Sequence, residues 1–133
     1  MLFRSRQPLR YILEVGQRVS LHGSALGKSL LGVMSRDAVV ELLKERKLRP
    51  FTPCTITDRT RLLADIDAGK QRGWYEAHGE GAEGVSALAM SGLLNEQPVG
   101  ISIAGPSDRV RRHHKAYLAA LKEVRDTLLA PQH

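Results

Sequence analysis

The chain has 133 residues, the size of one ordinary domain; 42% of them are hydrophobic but only 5% aromatic, so its core must be mostly aliphatic. No apolar run reaches the about 20 residues a membrane helix needs, the start MLFRSRQPLR lacks a secretory signal pattern, and the single Cys54 cannot form an internal disulfide, so the expectation is a cytoplasmic domain without a membrane anchor. The net charge of +6 sits in residues 1–49, which hold ten Lys/Arg against four acids; this basic half either attracts phosphate or is a solvated face, and it lacks the interleaved aromatics of a base-stacking surface.

Residues 9–15 (LRYILEV) predict a strand ending at Gly16, and RVSLH (18–22) a short strand or a loop. Ser24 predicts the cap of a helix running to about Met34, with Leu26, Leu30 and Leu31 on one face. Ser35 caps a second helix, with Asp37 in its first turn and Val39, Leu42 and Leu43 turned inward. Pro50 and Pro53 bracket the extended loop FTPCTIT. Asp58 then opens a third helix along Leu62, Leu63 and Ile66, and Gly73 ends it.

The second half is strand-rich. WYEAH (74–78) reads as a short strand, the segment with Gly79, Gly81 and Gly84 as a flexible loop, and VSALAMSGLL (85–94) as a strand. After a turn at NEQ (95–97), PVGISIAG (98–105) alternates Val99, Ile101 and Ile103 as a half-buried strand does. One long helix is expected from Pro106 to about Ala130, on a stripe of Val110, His114, Tyr117, Leu121, Val124 and Leu128, with Leu118 and Leu129 outside it. Hairpin-length turns between strands, with helices grouped before and after them, predict an α+β fold with an antiparallel sheet.

The chemical motifs are thin. HGSALGKS (22–29) approaches the phosphate-loop pattern, but the position that requires the first glycine is His22 and Gly23 falls one residue late. What remains is a glycine-rich helix N-terminus, whose free amides and partial positive charge suit an anion. The five histidines (22, 78, 113, 114 and 133) have no metal-ligand spacing, and no cofactor is implied. Nothing local activates Cys54, Ser24 and Ser102 lack a nucleophile-elbow context, and Glu76, Glu80 and Glu83 read as a solvated loop. No enzyme is expected.

Several segments in order carry a resemblance: LHGSALGKSLLGVMS (21–35), FTPCTITD (51–58) with RGW (72–74), the stretch with Glu80, Gly84 and Val85, and GISIAGPSDR (100–109). Over about residues 8–130 the chain resembles the effector-binding domain of the IclR family of bacterial transcription regulators. The resemblance implies a GAF-like fold, a curved antiparallel β-sheet with packed helices. It also implies a small-molecule pocket walled by His22, Gly23, Ser24, Ala25, Leu26 and Gly27, by the loop at Gly84 and Val85 with Ser86, and by the strand bearing Ser102. Family members usually carry a winged helix-turn-helix domain ahead of this one and act as dimers or tetramers that respond to small metabolites, often organic acids.

The sequence departs from that pattern twice. A winged-helix segment and the first sensor strands are both expected to be missing, so residues 1–133 read as an N-terminally truncated effector-binding domain that would reach DNA only through a winged-helix domain outside them. In the pocket, Ala77, Ala87 and Ala104 stand where many relatives carry a carboxylate, hydroxyl or thiol. The expected ligand is therefore a larger organic acid with an apolar body, such as an aromatic acid, and the expected assembly a homodimer or tetramer. The alternative is a structural module that pairs with full-length relatives.

Overall fold

Ser24, Ser35 and Asp58 each turn a side-chain oxygen onto an amide of the following turn, and a helix starts at each. Ser24 Oγ accepts from Gly27 N to open α1 (Ala25–Val33), Ser35 Oγ accepts from Ala38 N to open α2 (Arg36–Leu43), and Asp58 Oδ1 accepts from Thr60 N to open α3 (Arg59–Arg72). Gly73 closes α3 in the left-handed conformation. The computed structural model describes residues 2–4, 12–15 and 20–129.

Among the described residues, five strands form one antiparallel sheet: β1 (Leu2–Arg4), β2 (Ile12–Val15), β3 (Tyr75–His78), β4 (Val85–Leu94) and β5 (Gln97–Pro106), in the order β1-β2-β5-β4-β3. β4 and β5 pair along their whole length from Val85↔Pro106 to Leu94↔Gln97. Asn95 and Glu96 close this hairpin, both with positive φ (51° and 66°), the combination a two-residue turn needs to match the strand twist. After β5 come α4 (Ser107–Arg112) and α5 (His114–Leu128).

Strand alternation divides the core. Tyr75, Ala77 and Ala89 join Ala25, Leu31, Leu62 and Ile66 on the face covered by α1 and α3, and Val39 and Leu43 of α2 extend that cluster. Leu88, Met90, Ile101 and Ile103 join Val110, Tyr117 and Leu121 on the face covered by α4 and α5. The sheet is thus the middle of three layers, and each fully buried Leu or Ile contributes about 1.5–3 kcal/mol of burial free energy.

The α+β reading with an antiparallel sheet holds, and β3, β4 and β5 lie where the strand patterns place them. Of the expected first strand, Ile12–Val15 is described; residues 9–11 and Gly16 lie outside the described residues, as do Arg18, Val19, Ala130 and His133. Ser20–His22 form a loop. β1, at the sheet edge beyond β2, was not expected from the pattern.

The single long helix is corrected to two. His113 (φ −111°, ψ 24°) breaks the axis, although hydrogen bonding runs through it: His113 N donates to Arg109 O, and Tyr117 N donates to His113 O. The periodic stripe spans both pieces because Val110, Tyr117 and Leu121 still reach the same core. At the end of α5 the expectation inverts, with Leu129 buried, Leu118 packed against the core and Leu128 exposed. No helix among the described residues is long and apolar enough to cross a membrane.

Candidate functional site

Which sheet face Ser102 occupies decides whether the expected residues can converge. Two positions earlier on β5, a Cβ on Gly100 would lie 2.6 Å from Leu26 Cδ1 and 2.8 Å from Ser29 Oγ, so this face of the strand looks at α1. The period of two puts Ser102 and Ala104 on that face. The registers Ala77↔Ala87 and Ala87↔Ala104 then lay three alanines in a row across β3, β4 and β5, and Tyr75, Ala89 and Ser102 form the next row. Along the alanine row burial falls from Ala77 (buried) through Ala87 (half-buried) to Ala104 (exposed). Val85 continues this face and is also exposed.

The start of α1 abuts these rows, since Ala25 packs in one cluster with Ala77 and Ala89, with Ala87 beside them. Its backbone is tightly held. Ser24 Oγ accepts from Gly27 N and donates to Ser20 O, and Ser20 Oγ accepts from Gly23 N. At Gly27 a Cβ would lie 2.6 Å from Leu21 Cα, so only glycine lets α1 sit this close to the preceding loop. His22 is buried; its Nε2 donates to Arg49 O and its ring stacks on Phe51.

One more residue fastens the region. Lys28 is the only member of α1's buried surface that carries a charge, and its side chain is 1% exposed. Its Nζ lies 2.6 Å from both Asp65 Oδ2 and Glu80 Oε1 and donates to Glu76 O at 3.0 Å. Glu80 Oε2 accepts from His78 N, and Thr52 and Thr55 donate their hydroxyls to the Gly79 and Glu80 carbonyls. The FTPCT segment and Lys28 together therefore pin the loop that follows β3, and Gly81 of that loop lies against the Gly23 carbonyl.

Of the expected site residues, Ser24, Ala25, Leu26, Ala77, Ala87, Ser102 and Ala104 share the α1 side of the sheet, with Val85 at its open end. His22, Gly23 and Gly27 shape the loop and helix start beside them. Ser86 faces the other side, where its Oγ lies 3.0 Å from His78 Nδ1 and 2.8 Å from Ser107 Oγ. Gly84 is exposed, with open space where a Cβ would stand; its positive φ of 75°, not a close approach, calls for glycine. The solvated reading of Glu80 is corrected, because its side chain is 12% exposed and paired with Lys28. Asp65, Thr52 and Thr55 were not singled out from the sequence, and Lys28 entered only as the lysine of the rejected phosphate-loop pattern. A lysine within a helix whose other positions are apolar or small was the available signal, since a buried cation requires a partner.

The comparisons identify the family and the fold. Residues 2–129 match the family described as bacterial transcriptional regulator IclR C-terminal. The chain is 28% identical over 121 residues to the HTH-type transcriptional repressor AllR of Escherichia coli, covering 90% of this chain and 44% of AllR. It is 30% identical over 125 residues to the HTH-type transcriptional regulator KipR of Bacillus subtilis, covering 92% and 49%; the chain spans about half the length of these curated relatives. Among solved structures, the inducer binding domain of PobR from Acinetobacter, a double mutant in complex with 3-hydroxybenzoic acid, superposes with a TM-score of 0.75 at 27% identity, covering 84% of this chain and 66% of that one. The C-terminal domain of the Escherichia coli transcriptional regulator KdgR gives 0.73 at 30% identity, covering 81% and 68%. The chain therefore belongs to the IclR family of bacterial transcriptional regulators, as its C-terminal, effector-binding domain.

Proposed function

We propose that this domain senses a small organic acid, held between the start of α1 and the α1-facing rows of the sheet. The observation that carries the reading is the alanine row Ala77–Ala87–Ala104, flanked by Ser102 and abutted by the first turn of α1. A carboxylate meets the partial positive charge of that helix end and the Ser102 hydroxyl. The alanines offer no side-chain hydrogen bond, and a buried ligand oxygen left without a partner costs about 1–3 kcal/mol. An acid with an apolar body, of the aromatic kind bound by the PobR domain, suits such a lining better than a short keto acid.

Thermal shift and calorimetry test this. Benzoate and 3-hydroxybenzoate should stabilise the chain, as any ligand of the folded state does, and Ser102→Ala should weaken both. A two- or three-carbon keto acid binding tighter than benzoate would overturn the apolar-pocket reading. We further propose that the domain works in the cytoplasm as a homodimer or tetramer, with DNA read by a winged-helix domain outside residues 1–133. Light scattering showing only monomer at high micromolar concentration would refute the assembly.

A further inference from the structure

The Ser20–His22 loop also walls a cleft. It encloses about 210 Å³ between that loop and the segment running from Leu43 to Phe51. Pockets for drug-sized ligands run to about 300–1,000 Å³, so this one has room for a monocyclic or short-chain molecule. Leu21, Leu43 and Leu48 supply its apolar lining, and Phe51, 48% exposed, adds an aromatic face. Arg46, Lys47 and Arg49 complete the wall. Among the described residues no carboxylate lines it and none of these three cations is in an ion pair. The nearest paired lysine, Lys44, is neutralised by Glu41 instead.

The backbone carrying the cations is already fixed. The Arg59 guanidinium donates to the carbonyls of Leu43, Lys44 and Arg46, and His22 Nε2 donates to that of Arg49. Holding the frame in advance reduces the ordering cost of binding. Unpaired cations beside an aromatic and an aliphatic lining suit an amphipathic anion more than a fully hydrated one.

We infer that this cleft is a second binding site for a small organic carboxylate, whose acid group meets Arg46, Lys47 and Arg49 and whose apolar body lies against Phe51 and the leucines. His22 borders both this cleft and the α1-facing site, but the inference does not depend on that site. The two share a wall: Ser20, which lines the cleft, also accepts the Ser24 hydroxyl that caps α1. A ligand in the cleft therefore acts on the backbone that frames the first site.

The test is an amide nitrogen–proton NMR titration of the chain with sodium benzoate to about 10 mM, ten times a millimolar Kd. The expected result is saturable shifts at the amides of Leu21, His22, Leu48, Arg49 and Phe51 that persist in Ser102→Leu. They should weaken by at least about tenfold in the Arg46→Gln/Lys47→Gln/Arg49→Gln variant, the loss expected for one charge-assisted hydrogen bond. Shifts confined to Ala87 and Ser102–Ala104 would support the first site and overturn this one. Equal shifts with sodium chloride at the same ionic strength would reduce the cleft to counterion accumulation. Binding of duplex DNA through the same three residues without benzoate binding would also overturn the inference. The shift map on the unmodified chain locates the ligand, so the outcome does not depend on any variant folding.

Discussion

Replacing Lys28 with methionine isolates the fastener of the loop after β3. The change keeps most of the side-chain volume but removes an ammonium that pairs with Asp65 and Glu80 and donates to the Glu76 carbonyl. Deleting one partner of a buried ion pair costs about 3–5 kcal/mol, because the charges left behind are desolvated. Here the side chains of Asp65 and Glu80 are 27% and 12% exposed, so both recover some water. The expected loss is accordingly lower, about 2–4 kcal/mol, which for a domain of this size lowers Tm by roughly 6–20 °C. Urea unfolding followed by circular dichroism reads the loss, with an unchanged m-value showing that the denatured state is not the cause. Added salt should recover little of it, because a buried pair is weakly screened. Glu80→Gln in the Lys28→Met background should restore about 1 kcal/mol by removing one stranded charge, and amide exchange at Gly79–Gly81 should accelerate in the single variant. If Lys28→Met stays within about 0.5 kcal/mol of the parent, the pairing only breaks even with desolvation and the reasoning fails.

Gly27→Ala should destabilise by more than about 2 kcal/mol despite alanine's better helix propensity, because the new methyl meets the Ser20–Leu21 backbone, which cannot swing away; a neutral or raised urea midpoint would contradict this. Gly84→Ala should cost about 1–2 kcal/mol from its left-handed backbone alone, and Gly84→Asn less; equal midpoints for all three would show that the loop adapts. Burial pushes the Tyr75 phenol above its usual range, against the pull of the Arg72 guanidinium. The folded state then holds that proton longer than the unfolded chain. The contribution is full below about pH 10 and is lost as pH rises through the raised folded value. Stability should fall in alkaline solution, and Tyr75→Phe should flatten that fall; parallel pH profiles would refute the assignment.

Much of the architecture was legible because it is written in local chemistry. Caps at Ser24, Ser35 and Asp58, the stop at Gly73 and the alternation through β4 and β5 each depend on residues a few positions apart. The segments from LHGSALGK to GISIAGPSDR carried the family in the same way. Local pattern misled where it was consistent with two outcomes. An unbroken stripe from Val110 to Leu121 suits one helix or two pieces bent at His113, because both deliver the same residues to the core.

The site divided along the same line. Motif and resemblance proposed grouping a glycine-rich helix start, three alanines and Ser102; that these residues share one face of the sheet was not written in either. Strand register settles that, placing Ala77, Ala87 and Ala104 side by side while turning Ser86 to the opposite layer, since successive strand residues alternate faces. Lys28 is the sharpest case. Its spacing hinted at a phosphate loop, yet its partners are Asp65 and, 52 residues away, Glu80. A buried cation announces that it needs a carboxylate, but only the packing of α1 against α3 and the loop after β3 decides which one, because that pairing is made through space and leaves no periodic trace along the chain.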